Sequence, residues 1–378
     1  MTNYLPHIAH IDHLISQSTS FALYRLPGEQ EPTLILQKKG VPKILDNYSD
    51  LNSHEGFVMA PFHIAQAHPL LLIRPEIICK GWSEIDYFLQ NIVIQPVEQS
   101  INSSQKPVST HNKTKYIAAF DRFIDALHTQ QFDKLVLSRC HTEPRSASFS
   151  PAQAFLQACQ RYPNAFTYLC HTPLSGTWMG SSPEILLKGQ KTNYQTVALA
   201  GTRKAKTDGI TATRWDSKNR NEQSLVADYL RNVLTTSADE WSEERTETLT
   251  AGNVVHLKTG FRFSYSHPEK VGSLLQQLHP TPAVCGLPKT EAYRFIIENE
   301  GYDREYYAGF IGSLSPDKHT DLYVNLRCMK IEADQLRLFA GGGLLPSSNR
   351  ETEWKETEEK LRTMKQIIDF KNSDSKIS

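Results

Sequence analysis

FAGGGLLPSSNRETEWKETEEKLRTM, residues 339–364, joins an apolar segment to a carboxylate-rich helix through three successive glycines, Gly341, Gly342 and Gly343. Residues without a Cβ let backbone approach a ligand closely and leave N–H groups bare, while clustered carboxylates attract cations. An anionic ligand together with a metal ion would suit such a junction. Ser347, Ser348 or Asn349 can cap the helix, and Trp354, Thr357, Leu361, Met364 and Ile368 recur every three to four residues, the spacing of one buried stripe. Glu353, Glu356 and Lys360 lie on one face beside that stripe, at i, i+3 and i+7. Most Glu- and Lys-rich helix faces are simply solvated; the glycines immediately upstream set this one apart.

A chain of 378 residues can make one large domain or two. Lys plus Arg equals Asp plus Glu at 41 each, so no net field attracts a nucleic-acid backbone or an anionic membrane, and any anion must be bound locally. No apolar run approaches the roughly 18 residues of a membrane span. The amino terminus, MTNYLPHIAHIDHL, lacks a basic segment followed by an apolar core. Both features predict a cytoplasmic protein. The six cysteines are scattered without a CxxC pair and read as reduced core residues, which argues against structural zinc.

Residues 1–97 hold short apolar runs broken by turn residues, such as Phe21 to Tyr24, Thr33 to Leu36, Gly56 to Phe62 and Leu70 to Ile73, and read as strands. Residues 98–114 are polar and predict a loop or linker. Beyond it, in 115–370, Ile117, Phe120, Ile124 and Leu127 follow helical spacing, KLVLSRC (134–140) reads as a strand, and Ser150-Pro151 opens a helix. Further strands are predicted over Ala165 to Cys170, Glu184 to Lys188, Val254 to Lys258 and Leu322 to Ile331, and helices over Glu222 to Leu234, Glu291 to Glu298 and Glu353 to Phe370. Helices and strands mix without a regular βαβ rhythm. Residues 371–378 are expected to fray.

Several residues in this part could carry chemistry. On its strand Lys134 shares a face with Val136 and Ser138. A lysine at a strand entrance usually sends its ammonium into solvent; with both faces covered it is buried, and burial or a nearby cation can make its amine a usable base. Glu184 follows a Gly-Ser-Ser-Pro turn and precedes an apolar run, as an exposed strand-start residue or as a carboxyl kept protonated by apolar surroundings. Glu222 begins a helix whose Leu225, Tyr229 and Val233 are expected to face inward; the helix dipole favours it there, and with Glu356 it could offer hard oxygen ligands to Mg²⁺. LAGTR (199–203) and LHPTPAVCG (278–286) read as loops of small residues. His256 alternates with apolar neighbours as core histidines do. Arg327, read as lying on a central strand, needs an anionic partner.

The order of these segments is more telling than any one of them. FDKLVLSR, GSSPEILL, LAGTR, the Glu222 helix, VVHL, LHPTPAVCG, YDREYYAGFIG, NLRC, FAGGG and EWKETEEKLRTM together closely resemble the chorismate-utilising enzymes, over about residues 115–370. That family includes isochorismate, salicylate, anthranilate and aminodeoxychorismate synthases. The resemblance implies a mixed α/β (α+β) fold of large antiparallel sheets packed together with helices outside, and it implies that the amino-terminal strands join the same domain. By residue matching it implies Lys134 as base and Glu184 as acid for adding water at C2 of chorismate while the C4 hydroxyl leaves. It also implies Mg²⁺ held directly by Glu222 and Glu356 with Glu353 nearby, and a substrate pocket of Gly201, Thr202, His256, Ala283, Tyr307, Arg327, Gly341, Gly343 and Lys360.

Within the family, Lys134 and Ala200 stand where the ammonia-using branches differ, which favours water as nucleophile, and no glutaminase partner is expected. The Pro280-Thr281-Pro282-Ala283-Val284 loop resembles the isochorismate synthase version. Salicylate synthase, which goes on to release pyruvate, is the alternative, and a catalytically inactive chorismate-binding protein is a reading from another class. Isochorismate feeds menaquinone or siderophore biosynthesis, and neighbouring enzymes decide which. Around Glu222 this chain departs from many relatives, with Asn219, Asn221 and Ser224 in place of a more acidic, His-containing stretch.

Overall fold

The computed structural model describes residues 6–92, 113–204, 215–251 and 254–368. Most of the polar 98–114 segment and all of the 371–378 tail lie outside them.

Two large sheets dominate, and every strand pair among the described residues is antiparallel. The nine-stranded sheet runs, in spatial order, Gly286–Leu287, Lys134–Pro144, Gln335–Leu344, Cys328–Ile331, Gly176–Ser182, Phe166–Thr172, Ser20–Arg25, Thr33–Gln37 and Ile77–Lys80. The ten-stranded sheet runs Glu240–Glu243, Val254–Ser264, Asn193–Lys204, Ile185–Gln190, Thr320–Val324, Phe310–Leu314, Gly56–Ala60, Leu70–Ile73 and Lys43–Leu45, with Glu247–Ala251 also paired to Val254–Ser264. Strands from the first hundred residues therefore complete both sheets.

Side-chain alternation explains the layering. On Ser20–Arg25 and its neighbour Thr33–Gln37, Ala22, Tyr24 and Ile35 point into the core shared with the second sheet, where they join Phe57, Leu70 and Phe310. Phe21, Leu23, Leu34 and Leu36 point the other way, into a second core with Ile11, Leu14, Ile85, Leu89, Phe155, Leu361 and Met364 of the covering helices. A sheet buried on both faces reads as continuous apolar runs, which is why these strands lack the hydrophobic-polar alternation of a half-exposed sheet.

Four expectations are corrected. The predicted strand over Leu322 to Ile331 is two strands in different sheets, Thr320–Val324 and Cys328–Ile331. Arg327 sits in the crossover between them with φ +47°, rather than on a central strand. LAGTR is not a loop but the end of the strand Asn193–Lys204, where the register with Val254–Ser264 slips between Ala200 and Thr202. Gly201 forms that bulge at φ +69°, and a Cβ there would lie 3.1 Å from Asn219 Oδ1, so glycine meets both the dihedral and the space. On the helix Ser217–Ser237 the inward residues are Glu222, Val226, Leu230 and Leu234, with Leu225, Tyr229 and Val233 half-buried at the flank. All six cysteines are buried and unpaired.

Candidate active site

The strands Lys134–Pro144 and Gln335–Leu344 of one sheet meet Asn193–Lys204 and Val254–Ser264 of the other beside the helices Ser217–Ser237 and Arg350–Ile368. The cleft there encloses about 630 Å³ of space free of protein atoms, its open mouth included. Glu184, Glu222 and the nine predicted substrate contacts, Gly201, Thr202, His256, Ala283, Tyr307, Arg327, Gly341, Gly343 and Lys360, all line it. Leu199, Leu326, Phe339 and Val136 also line it; their apolar side chains carry no sequence signal that separates them from core.

Lys134 lies just behind the glycine wall. Its side chain is fully buried, and its Nζ is 3.1 Å from Glu222 Oε1, near enough for an ion pair but outside hydrogen-bond alignment. Gly343 makes this possible: a Cβ there would sit 2.8 Å from Lys134 Cε and 2.0 Å from Glu222 Oε1. Burial works to raise the Glu222 carboxyl, but Lys134, Lys218 and Lys360 together hold it below the usual range.

Asn349 caps the carboxylate-rich helix, its Oδ1 accepting from Glu351 N at 3.1 Å and Thr352 N at 3.3 Å. Within the first turns Glu353 pairs with Lys218, and Glu356 with Lys360 at 2.7 Å; Lys360 also donates to Gly341 O at 2.7 Å. Burial, then the neighbouring Glu356, pushes Glu353 up to about 7, and its Oε2 is buried without a partner. Lys218, facing these carboxylates from the opposite helix, escaped the sequence reading because a lysine in a first helical turn carries no pattern.

On the opposite side Arg327 places Nη2 3.0 Å from His256 Nε2 and donates from Nη1 to Thr363 Oγ1 at 3.3 Å. Burial, with Arg327 and Lys360, holds His256 well below its ordinary range, so the ring is neutral. Since a guanidinium only donates, Nε2 is the acceptor, which assigns the remaining proton to Nδ1, 3.0 Å from Gly201 O. Among the described residues no carboxylate pairs with Arg327, so a buried guanidinium faces the cleft without a counter-ion. Tyr307 packs its ring on Phe339, centroids 5.5 Å apart, and its hydroxyl lies where a Cβ of Gly341 would come within 2.9 Å.

Glu184 is 3% exposed at the start of its strand. Desolvation outweighs the opposing pull of Lys134, Lys360 and Arg327 and pushes its carboxyl up to about 8. At neutral pH the cleft thus presents a protonated carboxylic acid, buried lysines, an unpaired guanidinium and a cluster of three glutamates.

Among the described residues no three carboxylate, imidazole or thiolate groups close a metal site on their own. The chemistry of the three glutamates nevertheless fits a hard divalent cation. Glu222, Glu353 and Glu356 all approach the Gly342–Gly343 backbone, where Cβ atoms would meet their oxygens at 2.0, 3.5 and 3.2 Å respectively, and the lone Glu353 Oε2 has no donor.

A family model described as "Chorismate binding enzyme" matches residues 60–369. Isochorismate synthase EntC of Escherichia coli is 31% identical over 249 residues, 64% of this chain and 63% of EntC. Isochorismate synthase MenF of the same organism is 33% identical over 267 residues, 68% of this chain and 61% of MenF. The chain thus spans less than two thirds of the length of these curated relatives. The solved structure of E. coli MenF superposes with a TM-score of 0.78 at 22% identity, covering 97% of this chain and 92% of that one. Anthranilate synthase component I from Streptococcus pneumoniae superposes with a TM-score of 0.68 at 18% identity, covering 91% and 89%. These two likenesses establish the shared fold. No helix among the described residues is long and apolar enough to cross a membrane.

Proposed function

The chain belongs to the chorismate-binding enzyme family, and on that premise we propose that it is an isochorismate synthase, adding water at C2 of chorismate with loss of the C4 hydroxyl. The observation that carries this reading is Glu184: a buried carboxyl held protonated to about pH 8 in the same cleft that Lys134 backs. Acid and base are then separate groups in one cavity, as a displacement across a ring requires. Lys134 is the general base that takes the proton of the attacking water, and Glu184 gives its proton to the departing hydroxyl. Arg327 and Lys360, with backbone N–H groups at Gly341 and Gly343, hold the two substrate carboxylates; neutral His256 keeps Arg327 in place without competing for the anion. Tyr307, Thr202, Gly201 and Ala283 shape the walls around the ring. We take the whole chain as one chorismate-binding domain.

Glu222 and Glu356, with Glu353 alongside, would hold Mg²⁺, whose charge would neutralise a substrate carboxylate beside three glutamates. EDTA is accordingly expected to abolish turnover, and Glu356→Gln to weaken the Mg²⁺ dependence far more than it lowers the melting temperature. Full activity in rigorously metal-free buffer would refute the metal role.

Salicylate synthase shares this acid and base, so the products decide. Purified protein with chorismate and Mg²⁺ is expected to give an equilibrium mixture of chorismate and isochorismate with little pyruvate. Stoichiometric salicylate and pyruvate would assign the salicylate branch, and no turnover would favour a binding protein.

A further inference from the structure

One buried ion pair behind the cleft has no part in the chemistry above. Glu300 and Arg304 stand four residues apart just past the helix Lys289–Asn299, their side chains 1% and 2% exposed. Arg304 Nε donates to Glu300 Oε2 at 2.6 Å and Nη2 to Glu300 Oε1 at 2.7 Å. The pair's remaining bonds go to backbone, apart from one to the Ser138 hydroxyl. Arg304 Nη1 donates to Val284 O and Nη2 to Val136 O, both at 2.8 Å, while Glu300 Oε1 accepts from Ser138 N at 2.7 Å and Ser138 Oγ at 2.8 Å.

These contacts fall where a sheet edge runs out. The strand Lys134–Pro144 is paired along its length with Gln335–Leu344, but on its other side only Lys134 and Leu135 are paired, with Gly286–Leu287. Val136 N–H still reaches Cys285 O at 2.7 Å. Beyond that point side chains replace the missing strand: Arg304 takes the carbonyl of Val136 and Glu300 the N–H of Ser138. The guanidinium, lying over Phe62 at 4.3 Å, also grips the carbonyl of Val284. Val136 and Val284 both line the cleft, and Val136 is two residues from Lys134. A planar fork that holds two carbonyls and a carboxylate fixes their spacing in a way a single ammonium does not.

We propose that the Glu300–Arg304 pair is a positioning device: it sets the gap between the Lys134 strand and the Ala283–Val284 wall, and through that gap the pose of the bound cyclohexadiene dicarboxylate. The substrate part of this inference rests on the isochorismate synthase reading; the clamp itself does not. Neither side chain lines the cleft, so the effect passes through Val136 and Val284.

Arg304→Lys in the full chain tests it. Hydrogen–deuterium exchange across residues 279–286 should rise severalfold over wild type, and the KM for chorismate should rise about tenfold or more with kcat within about threefold. A general loss of folding would instead lower kcat through the active fraction and leave KM alone. Where Arg304→Lys does not fold, Glu300→Gln serves, because it keeps an acceptor for Ser138 N–H and removes only the charge on Arg304's partner; KM should move the same way. A folded variant with unchanged exchange and unchanged KM overturns the proposal. If wild type gives no isochorismate, the functional reading fails by itself, and the exchange measurement still decides the clamp.

Discussion

Lys134→Ala is expected to cut turnover of chorismate about a hundredfold or more, the usual cost of losing a general base. The side chain is fully enclosed, and its Nζ faces Glu222 Oε1 at 3.1 Å. Losing one partner of a buried pair can cost about 3–5 kcal/mol because the other charge is stranded. Here Lys218 and Lys360 still act on Glu222, so the loss of stability should fall below that figure and leave the fold intact. Lys134→Arg separates base from mere positive charge. Arginine keeps the cation but does not give up its proton in proteins, so it should be as inactive as alanine. Steady-state kinetics beside thermal melts check both; near-normal turnover in either variant rules out the role of Lys134 as base.

The sequence reading and the structure part company in ways that have physical causes. Residue types with strong constraints were legible: glycines that must face a close neighbour, a Ser-Ser-Asn run able to cap a helix, acids spaced at i and i+3. The Gly343 junction, a cap within 347–349 and the Glu353–Glu356 face follow from such constraints, and the structure singles out Asn349 as the cap. LAGTR read as a loop because its small residues and glycine mimic a turn, whereas the glycine marks a bulge within a strand that stays paired with Val254–Ser264 on both sides of it, at Ala200 and Thr202. The apolar stretch over 322–331 read as one strand because both halves are buried; only the positive φ at Arg327, a tertiary demand with no sequence signature, divides it between two sheets. Lys218 and the Glu300–Arg304 pair were invisible for a related reason. Their roles depend on partners 135 and more than 160 residues away, at Glu353 and on the Lys134 strand, which no local pattern encodes. The resemblance to chorismate-utilising enzymes supplied the long-range information that periodicity lacks, and the cleft gathers all nine of the pocket residues it implied.

Glu184→Gln should impair both directions of the reaction together, by about a hundredfold or more, since the group that protonates the departing C4 hydroxyl must by microscopic reversibility deprotonate water on the way back. Wild-type pH dependence carries the same signature. With its carboxyl moved from an ordinary 4.5 to about 8 by desolvation, Glu184 is the required acid at neutral pH, so the forward rate should fall as pH rises through about 8. Stability gives an independent readout. A folded pKa above the unfolded one means the native state holds the extra proton between those values, so the contribution is fully present below about 4.5 and is lost as pH rises through about 8. Glutamine never ionises and keeps that contribution, so the melting temperature of Glu184→Gln should gain on wild type as pH rises from about 5 to about 9. A variant that is inactive yet shows no such gain would mean that Glu184 is ionised in the folded protein, and the general acid would then have to be sought elsewhere in the cleft.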